Sequence, residues 1–112
     1  MGKQFKAVLF DIDGTLLDTL EDLAAAANRM LASNGYPPHP IDSYRHFVGD
    51  GAAMLVRRAL PPAARMKETE EKCLGAFLAD SRQNWKDRTR PYPGITAMLD
   101  ELTKRGIRMA VL

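Results

Sequence analysis

The sequence predicts an α/β fold in which parallel strands frame a helical insertion, and three observations predict it. Ala7-Val8-Leu9-Phe10 is a short, continuous apolar run that stops at Asp11-Ile12-Asp13-Gly14, the pattern of a strand buried on both faces. A second β-type run, Arg108-Met109-Ala110-Val111-Leu112, stands at the other end of the 112 residues. From about Leu20 to Lys86 the sequence is helical in period, and a single crossover helix joining parallel strands does not need that much chain. The surplus predicts a small helical bundle of its own. The expected division is a partial α/β core over 1–17 and 89–112, with a helical domain over 18–88 inserted beyond the carboxyl ends of the strands, where open α/β sheets bind ligands.

The elements follow in order. The first strand spans about Lys6 to Phe10. A helix is expected from Leu20 to Asn34, with Asp18 or Thr19 as N-cap and Glu21 and Asp22 favouring its first turn. Leu20, Leu23, Ala24, Ala27, Met30 and Leu31 fall on one face of it, and Gly35 ends it ahead of Pro37-Pro38. A short helix or turn over Asp42–His46 leads to Val48-Gly49-Asp50-Gly51, and a helix from Ala52 to Leu60 stops at Pro61-Pro62. The next helix runs from about Ala63 to Lys86, with Met66, Cys73, Leu74, Phe77, Leu78, Ser81 and Trp85 inward and Lys67, Glu68, Glu71 and Lys72 outward. Arg88 to Gly94 is a proline-rich connector. A last helix, Ile95–Arg105, presents Met98, Leu99 and Leu102, and Gly106 closes it before the second strand.

The chemistry concentrates where the first strand ends. Side chains two apart on an extended backbone point the same way, so Asp11 and Asp13 are expected to stand together, with Ile12 turned aside. Gly14 lets the chain bend there. Adjacent carboxylates repel unless a cation lies between them, and a hard ion such as Mg²⁺ takes oxygen ligands while leaving room for phosphate. The pattern therefore marks a phosphoryl-transfer centre. A carboxylate nucleophile needs a metal to screen phosphate charge, and a carboxylic acid beside it needs a different proton affinity. Backbone N–H groups after Asp11 are candidates to cradle phosphate oxygens.

Phe10-Asp11-Ile12-Asp13-Gly14-Thr15-Leu16-Leu17-Asp18-Thr19 resembles the first motif of the haloacid dehalogenase superfamily, in its branch of phosphatases with an α-helical cap, phosphoglycolate phosphatases most closely. The resemblance implies a Rossmann-like core of parallel strands carrying the cap. It makes Asp11 the nucleophile that forms an aspartyl-phosphate, and Asp13 the group that protonates the leaving alcohol and then takes a proton from water. It implies Mg²⁺ held by Asp11, by the backbone carbonyl of Asp13 and by a later acidic motif. It also implies contacts to a small phosphorylated metabolite, 2-phosphoglycolate above all, through Gly14, Thr15 and the loop Gly49-Asp50-Gly51. Members carry a hydroxyl residue after the second strand, then a Lys and an acidic pair. None of these is located here, so the chain matches roughly half of a full-length member and is expected to hydrolyse phosphate esters negligibly by itself.

Composition narrows the classes further. A net charge of +2 offers no argument for nucleic acid or an acidic membrane surface. The single Cys73 excludes an intramolecular disulfide and fits a reducing compartment. No apolar run approaches a membrane span and no signal-peptide pattern opens the sequence, which leaves the cytoplasm as the default location. Oligomeric state is not encoded in any pattern.

Several residues carry two readings. Val48-Gly49-Asp50-Gly51 is either a loop that approaches substrate or a plain inter-helix loop. Arg57 and Arg58 read as a solvated basic face ahead of a substrate carboxylate site. His39 and His46 lack partners at zinc-ligand spacing. Cys73 reads as an inert buried thiol, and Phe77 and Trp85 as core anchors of the cap. Two alternatives stand beside the phosphatase: a sugar phosphomutase or another capped phosphatase using the same first motif, and a non-catalytic fragment that acts as an association module.

Overall fold

The computed structural model describes residues 6–12 and 14–111, which fall into two compact units. The chain passes from one unit to the other between Thr19 and Leu20 and back between Thr89 and Arg90. The first unit holds strands β1 (Ala7–Phe10), β2 (Leu17–Asp18) and β3 (Arg90–Pro91), a helix, and β4 (Arg108–Val111). The second is helical: α1 (Leu20–Ser33), a 3₁₀ helix (Ile41–His46), α2 (Ala52–Ala59), a 3₁₀ turn (Pro62–Ala64) and α3 (Lys67–Asn84). The helix of the first unit, α4, spans Ile95–Lys104.

The helical unit has the only extensive core among the described residues. Ala24, Ala27, Met30 and Leu31 of α1 meet Leu55, Val56 and Ala59 of α2, Cys73 and Phe77 of α3, and Tyr44 of the 3₁₀ helix. The alanines allow close approach of the helices, and Phe77, Leu31 and Tyr44 fill the space between them. Burying side chains such as Phe77 or Leu31 stabilises by about 1.5–3 kcal/mol each. Several polar groups at the edge of this core are paired. Asn28 donates from Nδ2 to the His39 carbonyl (2.9 Å) and accepts the Tyr44 hydroxyl (2.6 Å) and the His39 N–H (3.0 Å) on Oδ1. His39 Nε2 lies 2.7 Å from the Ala59 carbonyl, which can only accept, so that nitrogen carries the proton. Arg29 forks onto Asp80 through Nε and Nη2 at 2.8 and 2.6 Å, bracing α1 against α3.

Local chemistry sets the ends of the helices. At the end of α1 the N–H groups of Gly35 and Tyr36 return to the carbonyls of Ala32 and Leu31 (3.2 and 2.9 Å), with Gly35 at φ +80°. α4 ends the same way, with Gly106 bonding to Thr103 and Ile107 to Leu102. Both are Schellman closures, which require a left-handed residue where only glycine is unstrained. α3 begins at Lys67, not near Ala63 as its sequence suggests. The Arg65 side chain turns back to the Leu60 and Arg58 carbonyls that α2 leaves unpaired, and residues 62–64 form a separate 3₁₀ turn. α3 also stops before Trp85. That residue is 51% exposed with Lys86 Nζ over its ring, so Phe77 anchors the core and Trp85 does not. Met66, just ahead of the helix, and Leu78 are exposed as well, which narrows the expected inner stripe to Cys73, Leu74 and Phe77 with Ser81 at its margin.

In the first unit β1 and β4 pair in parallel, with Ala7 opposite Arg108 and Phe10 opposite Val111. The expected burial of β1 on both faces is not found. Leu9 is 67% exposed, and every residue of β4 is exposed. Among the described residues this sheet has two strands and its unit one helix, and a parallel sheet needs helices on both faces to be buried. A two-residue ribbon, unannounced by the sequence, pairs Leu17 with Pro91 and Asp18 with Arg90 antiparallel, and the Tyr92 N–H extends it to the Leu16 carbonyl.

Candidate active site

The strand-tip motif sits where two parallel strands finish together. Asp11 directly follows Phe10, whose register partner is Val111, so Asp11 lies at the carboxyl edge of the β1–β4 pair. Its side chain is exposed, as a ligand-binding group at that edge must be. Asp13 lies outside the described residues. The segment Ile12–Leu17 is a tight turn organised on one carbonyl: Ile12 O accepts the N–H groups of Thr15 (3.3 Å), Leu16 (3.1 Å) and Leu17 (3.0 Å), and the Gly14 N–H donates to Leu17 O (3.0 Å). Gly14 takes φ +74°, which makes the reversal possible. The N–H groups of Gly14, Thr15, Leu16 and Leu17 are therefore spent inside the turn. Gly14 and Thr15 are themselves exposed beside it.

The second group of candidates lies in the helical unit. Gly49 and Gly51 both have positive φ (+110° and +91°), and they flank an exposed Asp50 just before α2. The Asp50 carboxylate accepts Arg58 Nη2 at 2.6 Å, while Arg58 Nη1 reaches the Phe47 carbonyl at 3.3 Å. Arg57 pairs with Glu70 of α3 at 3.5 Å. These two arginines are tied to neighbours rather than standing as a purely solvated face, and Arg58 fixes the shape of the Gly49–Gly51 loop. Cys73 is fully buried and burial pushes its thiol up, so it is the inert thiol its position suggested. Among the described residues no three His, Cys, Asp or Glu side chains converge as a metal cage.

One functional-looking carboxylate went unread in the sequence. Asp22 suits the first turn of α1 by its charge, yet it is only 8% exposed. Its Oδ2 accepts the N–H groups of Arg88 (2.9 Å) and Thr89 (2.7 Å) and lies 2.7 Å from the Thr89 hydroxyl. Burial raises its pKa, but the Thr89 hydroxyl and the Arg88 and Thr89 N–H groups outweigh burial and hold it below the ordinary carboxylate value. The signal was present: Asp22 precedes Ala26 by four and Met30 by eight, on the stripe that faces the core.

The comparisons with known proteins fall on this same chain. Residues 8–112 match the family model for haloacid dehalogenase-like hydrolases. The chain belongs to that family. Over 111 residues it is 40% identical to phosphoglycolate phosphatase of Pseudomonas putida, covering 96% of this chain and 40% of that protein. A crystal structure of a predicted phosphoglycolate phosphatase from Haemophilus somnus superposes with a TM-score of 0.88 at 28% identity, covering 98% of this chain and 52% of that one. Protein Tyrosine Kinase A of Mycobacterium tuberculosis has the same architecture, with a TM-score of 0.82 at 28% identity over 98% of this chain and 49% of its own. The chain spans about 40% of the length of the curated relatives named here and about half of the solved chains. The α/β class with parallel strands is the class of these hydrolases. No helix among the described residues is long and apolar enough to cross a membrane.

Proposed function

We propose that this chain is the nucleophile-bearing and cap-bearing part of a Mg²⁺-dependent phosphomonoesterase, with 2-phosphoglycolate as its leading substrate. One observation carries the proposal: Asp11 is an exposed carboxylate at the carboxyl edge of two parallel strands, in a family of hydrolases. In the proposed reaction an Asp11 oxygen attacks phosphorus, and the bond from phosphorus to the glycolate oxygen breaks. Asp13 gives that oxygen its proton. Asp13 then takes a proton from water, the water oxygen attacks the aspartyl-phosphate, and inorganic phosphate leaves with Asp11 restored. Asp11 offers the hard oxygen donor that Mg²⁺ prefers, and a single carboxylate completed by backbone, water and substrate oxygens is an ordinary Mg²⁺ arrangement. Asp11 and the Asp13 carbonyl would hold the ion, which when bound screens the charge on phosphate. The proposed cap is residues 20–89, and Gly49-Asp50-Gly51, with Arg58 shaping it, is its proposed substrate loop.

The test is phosphate release by the gene product that carries these residues, assayed on 2-phosphoglycolate and on glucose phosphates, in Mg²⁺ and in EDTA. Phosphoglycolate hydrolysis that EDTA abolishes is expected. Release from glucose phosphates alone would overturn the substrate, and hydrolysis by an Asp11→Asn variant would overturn the mechanism.

A second reading, an association module without turnover, is favoured by one feature: Leu9, Met109 and Val111 expose apolar surface on a two-stranded sheet. Self-association of the 112-residue chain in light scattering, with negligible phosphate release, would be its signature. A stable monomer would remove it.

A further inference from the structure

Both ends of the helical unit are tied by one side chain. Asp22 stands two residues inside its beginning and Thr89 is its last residue, yet the two are held by hydrogen bonds of 2.7 Å across a sequence separation of 67. Arg88 donates its N–H to both oxygens of the same carboxylate, at 3.1 and 2.9 Å. Immediately outside, the β2–β3 ribbon pairs Asp18 with Arg90 and Leu17 with Pro91. The two passages of the chain are thus tied twice, by a ribbon in one unit and by a carboxylate in the other. Only residues 19–21 on one side and the Thr89–Arg90 peptide on the other lie between the ties.

We propose that Asp22, Arg88 and Thr89 form a latch that holds the first turn of α1 to the last residues of the helical unit, so that neither end of that unit frays alone. The inference does not rest on the proposed reaction. Its strength comes from an anionic acceptor receiving backbone N–H groups in a buried setting, where hydrogen bonds to charge are stronger than neutral ones. Thr89 completes it from a constrained position. Its hydroxyl lies 2.7 Å from both Asp22 Oδ2 and the Trp85 carbonyl, and one proton serves both acceptors. The methyl-bearing side chain is 9% exposed, which keeps water from replacing either bond. The other charges around the latch are Arg88, which pairs with Glu21 at 3.4 Å, and Arg29, whose field includes both Asp22 and Asp87.

The peptide bond between Arg88 and Thr89 is a trypsin site whose N–H the latch holds, and Arg45, exposed on the 3₁₀ helix, supplies a reference site away from it. In limited proteolysis of the 112-residue chain, Asp22→Asn is expected to speed cleavage after Arg88 at least about tenfold, because its amide N–H opposes the incoming donors. Cleavage after Arg45 is expected to stay at the parent rate. Thr89→Val should accelerate the Arg88 cut more modestly, and Thr89→Ser should restore protection. Unchanged cleavage after Arg88 in both Asp22→Asn and Thr89→Val overturns the latch. If Asp22→Asn fails to fold, Thr89→Val decides, and equal acceleration at Arg45 and Arg88 in that variant overturns it in favour of general loss of stability.

Discussion

Tyr44 shows how a single buried residue couples to pH. Its ring is fully enclosed and burial pushes its pKa up to about 12. The unfolded chain loses this proton near pH 10, so the stability that Tyr44 contributes is complete below about pH 10 and lost as pH rises through the folded value. Chemical denaturation between about pH 9 and about pH 12 should show a fall on the order of 3 kcal/mol. Tyr44→Phe should remove most of that slope while costing about 1 kcal/mol at neutral pH, because Asn28 Oδ1 loses the hydroxyl but keeps the His39 N–H. At the same scale, the sequence exposed some residues and hid others. The place of Asp11 at the end of a parallel strand was legible because its neighbours on both sides form one motif. Asp22 was not, because a carboxylate in a first helical turn has a sufficient local explanation, and only its place on the apolar stripe hinted at partners 66 and 67 residues away.

Elements were legible where local chemistry decides them. Gly35 and Gly106 announced two helix ends, and the Schellman bonds at both confirm why glycine stands there. Gly35→Ala forces a side chain into the left-handed region and is expected to lower stability by roughly 1 kcal/mol, read as a shift in the urea midpoint with an unchanged m-value. Elements were illegible where distant groups decide them. The start of α3 moved from Ala63 to Lys67 because Arg65 is drawn to carbonyls at the end of α2. The β2–β3 ribbon has two residues per strand, too short for any periodicity to reveal. Trp85 falls on the inner stripe only if helical spacing runs past Asn84, where α3 stops.

At the scale of the whole molecule, the two units have unequal means of support. The helical unit holds the buried cluster, whereas α4, the helix of the strand-bearing unit, has no fully buried residue. Acid should act chiefly on the helical unit. Asp80 is held low by its hydrogen bonds with Arg29, and Asp22 by the Thr89 hydroxyl and neighbouring N–H groups against the opposing pull of burial. Depressed folded values mean that this stability is present above the unfolded carboxylate value of about 4 and is lost as pH falls through the folded ones. Melting temperatures taken from about pH 6 down to about pH 2 should fall steeply in the parent and less steeply in an Asp22→Asn, Asp80→Asn double variant, which starts lower. A parallel decline in both proteins would assign the acid sensitivity elsewhere.

The pairing of Ala7 with Arg108 has a kinetic consequence. These partners are about 100 positions apart, so the earliest strand to leave the ribosome stays without its neighbour until nearly all of these residues have been made. The intervening helices contact one another over smaller sequence separations than the strands do, 51 between Arg29 and Asp80, and can condense first. Once they have done so, the span to be closed shrinks to roughly 30 flexible residues, which cuts the entropic cost of closure by about 1 kcal/mol. The inserted bundle therefore acts as a folding clamp that delivers the late strand to the early one.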